Sequence, residues 1–130
     1  KSEIPSANGH ASARALAKVA ATIAAGGISP DGVRLLSDEG VADAHGSPVT
    51  KRMLGMVLTF SNAGWCLWGD KRLGFVGWMG LGGSVVQWHR EEQIGFGYAL
   101  NSMQVMPFNS AAYLLQKQVL ACVLAAKKAA

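Results

Sequence analysis

Apolar residues between positions 6 and 27, SANGHASARALAKVAATIAAGG, recur with a helical period. Leu16, Val19 and Ile23 share one face at i, i+3 and i+7, and the intervening alanines permit close approach to a neighbour. Ser6 and Asn8 are cap-type residues ahead of this helix, and Gly26-Gly27 can adopt the left-handed geometry that ends it. Pro30-Asp31-Gly32 then marks a turn, and Ser37 stands as a cap over Asp38 and Glu39, whose charge suits a helix N-terminus. A short helix from about Asp38 to Ala44 follows, ended by Gly46 and Pro48. From Met53 to Phe60 the run MLGMVLTF is apolar and partly β-branched, and it predicts one strand bounded by Ser61-Asn62-Ala63-Gly64. WCLW resumes the apolar pattern as a short partner strand before the turn Gly69-Asp70-Lys71-Arg72.

The clearest pattern is a hairpin. Ser84 to His89 and Gln93 to Leu100 are strand-like runs separated by Arg90-Glu91-Glu92. Alternation places Val85, Gln87 and His89 on one face and Val86 and Trp88 on the other. In the second strand Ile94, Phe96, Tyr98 and Leu100 share a face, while Gly95, Gly97 and Ala99 leave the opposite face almost bare. A bare face implies close approach by another element, most simply a helix lying across the sheet. After Pro107 a long helix runs from about Asn109, with Leu115, Val119 and Cys122 on one side and Lys127/Lys128 near its C-terminal dipole. The order predicts the α+β class, an antiparallel β-sheet flanked by helices.

Composition adds constraints. A chain of 130 residues, half of them hydrophobic, suits one domain or a fragment of one over residues 1–130. Charged residues are 15 %, against about 25 % in an average soluble domain, so some apolar surface is expected to be covered by something else. The chain opens on Lys1 without a secretory signal pattern and reads as a processed or excised piece. The net charge of +4 is scattered, with no basic run or stripe, which argues against nucleic acid as a partner. The longest apolar run, Val119 to Ala126, falls short of the ~20 residues of a transmembrane helix.

Candidate ligand chemistry thins out on inspection. Cys66 and Cys122 are 56 positions apart, match no metal-ligand spacing, and read as two buried free thiols, with a single disulfide as the alternative. His10, His45 and His89 lack metal spacing, and the tryptophans at 65, 68, 78 and 88 read as core and cover packing. Gly74, Gly77, Gly80, Gly82 and Gly83 form neither a Walker motif nor Gly-x-Gly-x-x-Gly. No metal and no cofactor is expected.

The segments SANGHASARALAKVAA, GVRLLSDE and GFVGWMGLGGSVVQWHREEQIGFGYALNSM, with the closing helix, resemble the C-terminal part of the serine β-lactamase, penicillin-binding protein and esterase family, especially its class C-like β-lactamase-related branch. The most specific elements are Asn8-Gly9 leading into Ala13-Arg14, and the Gly-rich segment running into GFGYALN. The resemblance implies a five-stranded antiparallel sheet covered by helices, of which this chain would supply the last three strands and the closing helix. The partner that the resemblance implies is the N-terminal segment of that fold, or another protein chain, covering an open sheet edge.

That family activates a serine in Ser-x-x-Lys, where the lysine lies on the same helical face and takes the hydroxyl proton. No serine here has Lys three positions on, and Tyr98 is followed by Ala-Leu-Asn, so Tyr-x-Asn is absent as well. By family order both motifs belong upstream of Lys1, and the chain alone is expected to be catalytically incompetent. The third family element, Lys or His, a small or hydroxyl residue, then Gly, falls on Trp78, Met79 and Gly80. Leu81 then corresponds to the residue whose backbone N–H completes the oxyanion hole. Gly80 and the Leu81 amide can act through backbone, whereas Trp78 and Met79 supply neither charge nor hydroxyl. The alternative is a non-catalytic structural or assembly module derived from the same fold and embedded in a larger complex.

Overall fold

Six strands lie side by side in chain order in one antiparallel sheet, β1-β2-β3-β4-β5-β6, with helices on both faces. The computed structural model describes residues 9–53, 55–80, 82–102 and 110–129. Helix α1 (Ala13–Ala24) and α2 (Asp38–His45) precede β1 (Val49–Met53), β2 (Met56–Phe60), β3 (Cys66–Leu67), β4 (Val76–Met79), β5 (Val85–His89) and β6 (Ile94–Tyr98), and α3 (Ser110–Ala129) closes the chain.

Local chemistry explains the helix ends. Ser12, in an extended conformation, accepts the Ala15 N–H on its hydroxyl and starts α1. The expected caps Ser6 and Asn8 lie outside the described residues. At the other end Gly26 and Gly27 have φ of 69° and 91°, and their N–H groups bond back to the carbonyls of Ile23 and Thr22, which closes α1 with a Schellman motif. Ser37 caps α2 by accepting the Gly40 N–H at 3.0 Å, as its position ahead of Asp38 and Glu39 suggests.

The run from Met53 to Phe60 is two strands, not one. Gly55 at φ 76° reverses the chain, and Met53 pairs with Met56, so β1 and β2 form a tight hairpin. Together with the two-residue β3, where WCLW predicts a short strand, this brings the sheet to six strands. The predicted second hairpin is present with Val85↔Tyr98, Gln87↔Phe96 and His89↔Ile94 in register.

Helix α1 lies across β5 and β6, on the bare face that the glycines leave. A Cβ on Gly95 would collide with the Ala21 backbone and the Ala17 carbonyl, and one on Gly97 with the Ala13 carbonyl and the Ala17 nitrogen. Because the backbones approach this closely, Ala13, Ala17 and Ala21 are the residues whose backbone faces β6. Val19, expected in the buried face, is 57 % exposed, while Ala20, Ile23 and Ala24 pack with Trp88, Trp65, Val76 and Val86.

The opposite face holds the larger core, with Leu58, Cys66, Trp68, Phe75, Met79, Val85, Ile94 and Phe96 under Ala112 of α3. Here the expected helix face is wrong. Leu115, Val119 and Cys122 are exposed, and the buried stripe is Ala112 and Gln116, continued by the half-buried Leu120 and Val123. A polar contact, described below, rotates α3 to that register. Cys66 is buried as expected, Cys122 is not, and both are free thiols. Burial pushes the Cys66 thiol up to about 11, against a smaller opposing effect of Lys71.

Candidate functional site

Strand β4 carries Trp78 and Met79 to its end and delivers Gly80 to the turn before β5. Trp78 pairs with Val86 across the ladder, remains 37 % exposed, and lies against Phe60 and Trp68 at ring-centroid distances of 5.8 and 5.9 Å. Met79 pairs with Val85 and is buried. Gly80 donates its N–H to the Ser84 carbonyl at 2.8 Å and accepts the Gly83 N–H at 2.9 Å, so both of its backbone groups serve the turn. Its amide is therefore committed and is not a spare donor for an anion. Leu81, whose amide the resemblance assigns to the oxyanion hole, lies outside the described residues.

Space at Gly80 tells more than its hydrogen bonds. Among the described residues, a Cβ there would meet only the Ser84 carbonyl oxygen, at an ordinary 3.7 Å. Unlike Gly95 and Gly97, then, Gly80 is not demanded by any described residue packed against it. Gly80 itself is exposed.

Behind the strand end is a buried polar cluster that the sequence reading missed. Arg72, 4 % exposed, donates to Gln116 Oε1 at 3.3 Å and to the Met79 sulfur at 3.4 Å, and its guanidinium lies 5.5 Å from the centre of the Tyr113 ring. Gln116 donates in turn to Gln87 Oε1 at 2.6 Å. The ion pairs of Asp31, Asp38 and Glu92 go to Lys18, Arg34 and Lys127, so none of them compensates Arg72. Burial pulls the guanidinium down from its usual value, with Tyr113 acting in the opposite sense. The Gln87 Nε2 group is buried and has no hydrogen-bond partner among the described residues. One signal pointed here: alternation had already placed polar Gln87 on the same face as Val85.

As chemistry, this arrangement offers a strand end, an aromatic wall and a buried cation one layer behind. Trp78, Met79 and Gly80 follow one another at this strand end, and the Met79 side chain faces the core. Among the described residues no group of three or more His, Cys, Asp or Glu could hold a metal ion, and no helix is long and apolar enough to cross a membrane. An apolar groove of about 380 Å³, lined by Val19, Ile23, Leu35 and Leu36 among others, lies between α1 and the following loop and includes none of the three strand-end residues.

No protein-family model and no curated protein matches this sequence. Solved structures do. A family VIII carboxylesterase superposes with a TM-score of 0.70 at 24 % identity over 83 % of this chain and 30 % of its own. A penicillin-binding protein homolog from Caulobacter crescentus gives a TM-score of 0.78 at 25 % identity over 93 % of this chain and 34 % of its own. The chain thus spans about a third of the length of either neighbour. Both neighbours have the β-lactamase/transpeptidase-like fold, and the α+β arrangement of this chain, an antiparallel sheet between helices, is part of that fold.

Proposed function

We propose that this chain is the C-terminal portion of a β-lactamase-related serine hydrolase domain, of the β-lactamase, esterase or peptidase kind, with Trp78, Met79, Gly80 and Leu81 at the strand end that lines the active site. The observation that carries this reading is the exposed position at Gly80, where a Cβ would meet nothing closer than 3.7 Å among the described residues and yet glycine stands. Clearance at that point serves a group approaching from outside the chain. The nucleophile would come from a segment outside residues 1–130, because no serine here has a lysine three residues on to take its proton. Alone, the chain is inactive. Incubating the purified 130-residue protein with a chromogenic ester and with a β-lactam gives hydrolysis equal to buffer, and turnover above that background would sink the proposal.

A second reading, a non-catalytic assembly module, draws support from Met79. At the position where the resemblance expects a residue that holds substrate, the side chain is buried and accepts a hydrogen bond from Arg72. In this reading the exposed edge hairpin, with all five residues of β1 exposed, is covered by another protein chain. Sedimentation of the isolated chain then shows oligomers, whereas a monodisperse, stable monomer counts against it.

A further inference from the structure

The sequence offers His45 as one of three unrelated histidines, but its surroundings in the fold are specific. Its Nδ1 lies 2.8 Å from the Val41 carbonyl oxygen and its Nε2 lies 3.0 Å from the indole Nε1 of Trp88. A carbonyl only accepts and an indole N–H only donates. The ring is therefore neutral, with its proton on Nδ1 and its Nε2 lone pair taking the Trp88 N–H. The imidazole also packs edge-on against Trp65 and Trp88, with centroids 4.8 and 5.9 Å away. Trp65 and Trp88 form an edge-to-face pair of their own at 4.7 Å.

We propose that His45 is a pH-sensitive latch that fastens the end of α2 to β5, and that protonation of its Nε2 breaks this tie. The proton comes from solvent and occupies the lone pair that accepts the Trp88 N–H, so two donors then face each other and the bond is lost. A second tie holds the same end of α2, since the N–H groups of Asn62 and Ala63, in the turn between β2 and β3, donate to the carbonyls of Gly46 and Ala44, and Asn62 Nδ2 donates to Asp43. None of these involves the His45 ring, so α2 stays held to that turn while its tie to β5 is lost.

Burial, and to a lesser degree the charge of Arg90, favours the neutral form. Burial lowers the His45 pKa from its ordinary 6.5; the bond to the Val41 carbonyl opposes this, and the positive charge of Arg90, at the end of β5, adds to it. On α2 the nearby carboxylate of Asp43 is engaged by Asn62. The turn contributes Ser61, Asn62, Ala63, Gly64 and Trp65, and the α1 residues packed on Trp88 are Ala20, Ile23 and Ala24, none of them titratable. The sign follows. The folded pKa is below the unfolded one, so the latch's contribution is complete above pH 6.5 and is lost as the pH falls through the lower folded value.

The test is a pH titration of the full 130-residue chain from about pH 7.5 to 4.5, spanning the ordinary histidine range, read by tryptophan emission and by imidazole nitrogen NMR. In the wild type, NMR shows the Nδ1–H tautomer and a midpoint below 6.5. Emission changes over that interval while far-UV circular dichroism holds steady. His45→Gln keeps an acceptor for Trp88 but does not titrate, and its emission transition disappears. Should that variant fail to fold, the wild-type NMR titration decides alone. An Nε2–H tautomer, a midpoint at or above 6.5, or an emission transition that survives in His45→Gln would each overturn the latch.

Discussion

The two faces of the sheet are held by opposite devices. Against α1 the sheet presents no side chain at Gly95 and Gly97, and the helix answers with alanines, so backbone meets backbone and shape alone sets the register. Against α3 the sheet presents large apolar residues together with Gln87, and the helix answers with Gln116, tied on to Arg72. A shape-defined contact tolerates no added atoms, whereas a contact defined by polar pairing tolerates volume but not the loss of a partner. The difference also explains why the first helix was easier to place than the last. Missing side chains are visible in a sequence, and a polar residue destined for burial looks like any other surface residue.

Filling the bare face is the most severe way to break this comparison. Gly95→Val drives a branched side chain into the α1 backbone and costs about 4 kcal/mol or prevents folding altogether, measured by urea denaturation. A cost below about 1 kcal/mol, within what a repacked core absorbs, shows that α1 does not lie where it is described. On the other face, Gln116→Leu strips Arg72 of its oxygen acceptor and orphans Gln87, and the expected loss is about 2–3 kcal/mol. Adding Arg72→Met removes the buried charge itself, so the double variant recovers much of that loss. Simple additivity of the two costs contradicts the polar-pairing account of this face.

Cys66 and Cys122 give a gentler probe. Alkylation modifies Cys122 in the native protein and reaches Cys66 only in denaturant, because one thiol is exposed and the other buried. The raised Cys66 pKa has a consequence for stability: the unfolded thiol ionises near 9.0 and the folded one near 11, so its contribution is intact below pH 9 and fades as the pH rises through about 11. A Cys66→Ala variant lacks that alkaline component, and denaturation curves of the two proteins that stay parallel across the range contradict it. Smallest of all are the effects at positions the sequence pattern assigns to helix cores but the fold leaves exposed. Val19→Lys and Leu115→Lys each change stability by no more than about 0.5 kcal/mol in the same denaturation measurement, and a larger loss at either restores the original helix face.

The strand that carries the candidate site was legible, and the roles of its residues came only from the resemblance. Trp78, Met79 and Gly80 fall on the family's third element, and the structure puts them on β4 and its following turn. What the sequence left hidden was the inward turn of Met79, the commitment of the Gly80 amide to Ser84, and the Arg72 cluster behind them. Each depends on residues distant in sequence or on the closure of a turn, so no local pattern encodes it. Arg72 is a case in point, since it stands in a stretch that reads as a charged turn and is buried only because α3, 44 positions on, brings Gln116 over it.

By itself, the amino-acid order determined the α+β class, the helix caps at Ser37 and Gly26-Gly27, the β5–β6 hairpin and the helix that crosses it, because capping, alternation and the lack of a side chain act within a few residues. Only the tertiary structure decided that MLGMVLTF folds back on itself, which stripe of α3 is buried, and that His45 faces Trp88. Those outcomes rest on which distant groups find a hydrogen-bond partner once water is excluded, and that balance is settled only when the faces meet.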